Sequence, residues 1–215
     1  MKMVVVGGNS RDIGKTSVVA GLIRALPHYQ WTAIKLTQYG HGICSEDGEP
    51  CECAPKEHPF AIDEETDRSG RTDTSRFLVA GARRALWVRV RMGMLETALP
   101  AFQEAIAGDK HIIVESNSIV GYYRPSVYLT VLDPAKRDFK ESARKFLPLA
   151  DACLVLEPGL KDGVWEGVEC ELLRSKPLFA VGRERYINDQ IAAFVETRLR
   201  ASESHLLPTF PGVQT

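Results

Sequence analysis

Gly7-Gly8-Asn9-Ser10-Arg11-Asp12-Ile13-Gly14-Lys15-Thr16-Ser17 is the stretch on which the reading of this chain turns. An apolar run, Met3-Val4-Val5-Val6, leads into it. Behind it Val18, Val19, Leu22, Ile23 and Leu26 recur at helical spacing, which predicts a helix over 17–26. Strand, glycine-bounded loop, Gly-Lys-Thr and helix together are the context in which a phosphate-binding loop is credible. Residues Gly8 to Ser17 are then expected to surround phosphate. Successive backbone N–H groups point inward at its oxygens, and the helix N-terminus adds partial positive charge. Lys15 is expected to reach the β- and γ-phosphates of a nucleoside triphosphate, and the Thr16 hydroxyl to ligate Mg²⁺. The bland alternative is an ordinary glycine-rich turn; the motif's position between strand and helix speaks against it.

Five residues, rather than the usual four, separate Gly8 from Gly14, so Asn9 takes the usual first-glycine place. Gly-x5-Gly-Lys-Thr after an N-terminal strand resembles the loop of dethiobiotin synthetase and of the related cobyrinic acid amide synthetases. That class also holds the molybdopterin-guanine dinucleotide biosynthesis protein B family and the hydrogenase and urease nickel-insertion GTPases. The loop supports the class; later stretches must choose among its members.

The chain has 215 residues, enough for one well-cored domain. A formal net charge of -1 with 26% charged residues offers no electrostatic argument for nucleic acid or an anionic membrane. No apolar run approaches the roughly 20 residues that span a bilayer. The N-terminus enters a strand almost at once, which leaves no room for a secretory signal. A cytoplasmic protein is expected, whose five cysteines are thiols or metal ligands rather than disulfides.

Strands are expected at 31–37, 85–90, 111–115, 127–132, 152–156 and 177–181. Helices are expected at 73–82, 94–106 (interrupted near Pro100), 139–147 and 187–199. From Gln38 to about Arg71 periodicity dissolves into glycines, prolines, acids and three cysteines, a loop insertion of the kind that is functional or mobile, within one domain over 1–203. Residues 204–215 read as a loosely held tail. Alternating strands and helices predict an α/β architecture: a three-layer P-loop NTPase fold with a largely parallel central sheet flanked by helices.

In such a sheet ligands bind beyond the carboxyl ends of the strands, so strand ends carry the chemistry. Lys35 sits near the end of the second strand, where it could face phosphates and stabilise charge that develops during transfer. The surrounding Ile34-Lys35 resembles the Ile-Lys-His-x-His stretch of the molybdopterin family and the Lys-Pro-Val stretch of dethiobiotin synthetase. Here neither the His nor the Pro follows. Glu115, closing Ile112-Ile113-Val114, stands where a Walker-B acid would help hold Mg²⁺. The class commonly continues Val-Glu-Gly; this chain has Val114-Glu115-Ser116-Asn117-Ser118. Asp73, followed by Ala80-Gly81-Ala82, resembles a Mg²⁺-holding aspartate of the molybdopterin family. Thr72 or Asp73 would equally suit as a helix N-cap. The guanine-reading Asn-Lys-x-Asp pattern is absent, so ATP is expected ahead of GTP.

His41-x2-Cys44-x6-Cys51-x-Cys53, with His58 beyond, could close a tetrahedral Zn²⁺ site, or could be exposed thiols on a loop. Cys153 and Cys170 read as core residues. The resemblance, which runs to about residue 120, implies a Mg²⁺-dependent P-loop NTPase serving cofactor (molybdopterin-type) biosynthesis. It implies a nucleotide and a small-molecule or protein partner, and a homodimer, as is usual in the class. Two rivals stand beside it. One is a small-molecule kinase or ATP-dependent ligase of the dethiobiotin synthetase kind. The other is a metal-delivery NTPase whose Cys/His loop binds Zn or Ni.

Overall fold

The computed structural model describes residues 1–40, 59–157, 159, 165–201 and 205–207. The chain forms two compact units, residues 1–18 with 116–215, and residues 19–115. Each is α/β, built on a largely parallel sheet flanked by helices.

The first unit opens with β1 (Lys2–Gly8), in which Met3, Val4, Val5 and Val6 are fully buried. A continuous apolar run of this kind marks a parallel strand covered on both faces. It leads through the glycine loop into α1 (Lys15–Ala25), whose later turns belong to the second unit. In that second unit, β2 (Thr32–Tyr39), β3 (Phe60–Glu64), α2 (Asp73–Val79), β4 (Arg84–Arg91), α3 (Leu95–Ala105) and β5 (His111–Glu115) follow. Its strands lie in the order β3-β4-β2-β5. β2 pairs in parallel with β4 and β5, while β3 runs antiparallel to β4. Back in the first unit come β6 (Tyr123–Arg124), β7 (Val127–Leu132), α4 (Glu141–Phe146), β8 (Ala152–Leu156), α5 (Cys170–Arg174), β9 (Leu178–Val181), α6 (Asp189–Ala201) and β10 (His205–Leu206). The order β1-β7-β8-β9 is parallel throughout, and β6 and β10 form a short antiparallel pair.

Several boundaries differ from the pattern reading for identifiable reasons. Residues 60–64 form a strand where periodicity had dissolved. β3 is an antiparallel edge, exposed at Asp63 and Glu64, so it never needed a continuous apolar run. The helix expected to break at Pro100 is continuous. Pro100 is exposed, and its missing N–H would have served the carbonyl of exposed Glu96, which water can satisfy. The helix expected from Phe139 begins at Glu141 instead, because residues 138–140 are held by other bonds described below. His205–Leu206, read as tail, pairs with β6.

Thr72, not Asp73, caps α2: its Oγ1 accepts from the Ser75 N–H at 3.1 Å. The Asp73 carboxylate meets Lys35 at 2.8 Å and Arg76 at 3.7 Å. In the first unit Leu132, Leu147, Cys153, Val155, Trp165 and Leu173 form one buried cluster. Burial pushes the Cys153 thiol up to about 12, so it behaves as a core residue. The Cys170 side chain lies outside the described residues. In the second unit Trp31 is fully buried, and its indole N–H donates to the Leu26 carbonyl at 2.9 Å.

Candidate functional site

β1 ends at Gly8, and its ladder to β7 extends one residue further, with Asn9 N–H donating to the Val131 carbonyl at 3.1 Å. Asn9 is fully buried. Its Oδ1 accepts from the Asp133 N–H at 2.9 Å, and its Nδ2 donates to the Asp138 carbonyl at 3.2 Å. Its own carbonyl accepts from the Lys140 N–H at 2.8 Å. The residue in the usual first-glycine place is therefore an anchor that ties the loop to the segment after β7. Ser10 Oγ adds a bond to Asp138 Oδ2 at 2.6 Å.

Asp12 and Gly14 both take positive φ, 55° and 89°. Anion nests are built from backbone that alternates left-handed with right-handed residues, and two positive-φ residues within three positions suit that pattern. At Gly14 no side chain is tolerated, since a Cβ would lie 2.2 Å from the Tyr186 ring. The helix begins with Val18 N–H donating to the Gly14 carbonyl. Lys15 Nζ donates to the Ser10 carbonyl at 2.6 Å, which folds its ammonium back over the loop it is expected to serve. Asp133, fully buried at the end of β7, accepts from Arg183 at 2.7 Å and from the Ala135 N–H at 3.0 Å. Its hydrogen bond, and then its charge, hold the Arg183 guanidinium above its ordinary value.

One residue that the pattern reading passed over is central. Asn117 Oδ1 accepts from the Gly8 N–H at 2.8 Å, and its Nδ2 donates to the Gly8 carbonyl at 3.0 Å. A single carboxamide thus fixes the peptide planes on both sides of Gly8. Gly7 is a glycine for the same reason, because a Cβ there would stand 2.1 Å from Asn117 Oδ1. Ser116 rather than a glycine follows Glu115, and the clasp is made by Asn117 two residues beyond the acid. The sequence signal was available in Gly7-Gly8, a second glycine that the loop motif does not require.

In the second unit the structure brings together three of the residues singled out in the sequence. Lys35 and Glu115 are register partners across β2 and β5. Lys35 Nζ lies 2.5 Å from Glu115 Oε1 and 2.8 Å from Asp73 Oδ2. β2 lies between β4 and β5, so Lys35 is not an edge lysine. Glu115 is 3% exposed, and a carboxylate so buried needs a cation beside it. Burial by itself would lower the Lys35 value. The charge of Glu115 and the hydrogen bonds to Asp73 and Glu115 outweigh that effect and hold the ammonium above its ordinary 10.5. Its stabilising contribution is therefore complete below about pH 10 and is lost only as pH rises through the higher folded value. Two carboxylates converging on one point also suit a hard divalent cation. His41, Cys44, Cys51, Cys53 and His58 lie outside the described residues, so the structure does not bear on a zinc site there. Among the described residues no cluster of three or more His, Cys, Asp or Glu side chains could hold a metal.

Replacing Lys35 with Met strands Glu115 without its cation and should cost about 3 kcal/mol, the low end for a broken buried pair. Adding Glu115→Gln should recover at least half of that loss. Urea unfolding of the two single variants and the double variant checks this. A Lys35→Met cost below about 1 kcal/mol, the range of surface pairs, would show that the pair is solvated.

No family model matches the chain, and no curated protein matches it. Solved structures do. Nickel-bound HypB from Helicobacter pylori is similar at a TM-score of 0.50 and 13% identity, over 92% of this chain and 87% of that one. LpxK from Aquifex aeolicus with ATP gives a TM-score of 0.46 at 15% identity, over 84% of this chain and 53% of that one. Zn(II)-bound YjiA GTPase from E. coli gives 0.39 at 11%, over 89% and 60%. The likeness to HypB is one of fold, and with the loop geometry it gives this chain the α/β fold of the P-loop NTPases.

Proposed function

We propose that the protein binds a nucleoside triphosphate with Mg²⁺ on the Gly8–Ser17 loop and cleaves its terminal phosphoryl bond. The supporting observation is the loop itself. Positive φ at Asp12 and Gly14 is the backbone from which an anion nest is built, Lys15 folds back over the loop, and the Asn9 and Asn117 carboxamides hold it in place. Backbone N–H groups of this kind bind phosphate oxygens, and Lys15 neutralises the terminal phosphates. Mg²⁺, when bound, neutralises charge on the phosphates, and the Thr16 hydroxyl is its proposed loop ligand. In the second unit Glu115 and Asp73 are carboxylates of the kind a hard divalent cation prefers. A role in molybdopterin-type cofactor assembly has only the sequence resemblance around Ile34-Lys35 and Asp73 behind it.

A second reading, a metal-handling NTPase, draws on the fold likeness to a protein solved with nickel and on the Cys44, Cys51 and Cys53 spacing. In that reading hydrolysis times the release of a bound ion, and the metal is cargo.

Lys15→Ala removes the positive side chain aimed at the terminal phosphates, so triphosphate affinity measured by calorimetry should fall tenfold or more. Equal affinity in the two proteins would overturn the nucleotide reading. The metal-handling reading expects about one Zn²⁺ or Ni²⁺ per chain. Elemental analysis should show it in wild type and not in the Cys51→Ser, Cys53→Ser double variant. A metal-free wild type purified without chelator would remove that reading and leave the first intact.

A further inference from the structure

One face of the second unit's sheet is built unlike the other. Alternate residues of a strand share a face, and register partners lie beside one another. On one face β2 and β4 present Ile34, Leu36, Leu86, Val88 and Val90, all buried and apolar. On the other face β2 presents Lys35, Thr37 and Tyr39, and their register partners on β4 are Trp87, Arg89 and Arg91. Alternation of this kind ordinarily marks a sheet with one side in water. Yet Arg89 and Arg91 are 3% and 7% exposed. The polarity is not that of a solvated surface.

Trp87, Arg89 and Thr37 meet on that face, with Arg91 beside Tyr39 in register. The Arg89 guanidinium lies 4.2 Å from the Trp87 ring centroid and pairs with Asp63. Trp87 Nε1 donates to Thr37 Oγ1 at 3.4 Å. Burial raises the Tyr39 hydroxyl's value, while the charges of Arg89 and Lys35 pull against it, so the phenol feels both cations. Asp63, the acid that balances nearly buried Arg89, is itself 60% exposed, so an anionic ligand could replace it beside the guanidinium while water solvates the displaced carboxylate. A guanidinium held flat by an aromatic face, as Arg89 is, suits carboxylate and phosphate, which it binds through paired N–H donors. The cluster also occupies the carboxyl-terminal half of parallel strands, where α/β sheets place their ligands.

We propose that Arg89, Arg91, Thr37, Tyr39 and Trp87 bind the oxyanion group of a small molecule, a carboxylate or a phosphate ester. The site rests on the sheet face of the second unit alone and stands apart from the nucleotide reading above.

The test uses inorganic phosphate and succinate as separate probes. Calorimetry is run on the full-length Lys15→Ala protein, in which the glycine loop is dulled, and on wild type saturated with Mg²⁺ and a nonhydrolysable ATP analogue. One anion, or both, should saturate near one site per chain in both proteins. Within the Lys15→Ala background, Arg91→Gln should weaken that binding tenfold or more. Tyr39→Phe removes one hydroxyl and little packing, and should weaken it about threefold with the melting temperature retained. Binding of phosphate alone identifies a phosphate ester, binding of succinate alone a carboxylate. If neither anion saturates, or both variants bind as their parent does, the site is overturned. Wild type that binds phosphate or succinate but no nucleotide would overturn the function proposed above and leave this site standing.

Discussion

The Asn117 carboxamide donates to one side of Gly8 and accepts from the other, and the order of the glycine loop depends on that reciprocal pair. A phosphate nest gains affinity only if its N–H groups are already aimed, because ordering a loop on binding would cost about 1–2 kcal/mol for each residue fixed. Asn9 performs the complementary task from within the loop, with four hydrogen bonds to the end of β7 and the segment after it. Each carboxamide uses both its oxygen and its nitrogen on backbone groups, and Asn117 Nδ2 adds the Ser142 hydroxyl at 3.4 Å. The glycines answer to the same constraint. Gly7 exists to admit Asn117, Gly14 to admit Tyr186, and Gly8 because a Cβ would press within 2.9 Å of the Val131 carbonyl.

The second unit solves a different problem, that of keeping charge inside a sheet. Glu115 is tolerated because Lys35 and Asp73 form a three-membered chain of charges with it, and Arg76 approaches Asp73 at 3.7 Å to continue it. Nearer the sheet edge Arg83 and Arg84 converge on nearly buried Asp109. Such networks are weak sources of stability and strong sources of position. Here they fix an ammonium and two carboxylates where strand register alone would leave long side chains to wander.

How much of this could be read beforehand follows from the kind of interaction involved. The loop, its helix and the buried strands were legible because apolar periodicity and Gly-Lys-Thr are local signals. Lys35, Asp73 and Glu115 were legible as strand-end or helix-start residues, though not as one cluster, since their meeting depends on register. Asn117, Asp133, Asp138 and Tyr186 were not legible, because each acts on a partner more than 100 residues away. β3 was missed because an exposed edge strand need not be apolar. Pro100 misled because a helix tolerates proline where the orphaned carbonyl faces water.

The most direct test of the account is amide hydrogen exchange across Gly8–Ser17, measured with and without a Mg²⁺–nucleoside triphosphate. If the loop is a pre-shaped nest, its amides from Ser10 to Lys15 should slow by tenfold or more when nucleotide saturates the protein. Asn117→Ala should raise their exchange in the free protein. Saturating nucleotide that leaves those amides exchanging at their free rate would place phosphate elsewhere and contradict the account.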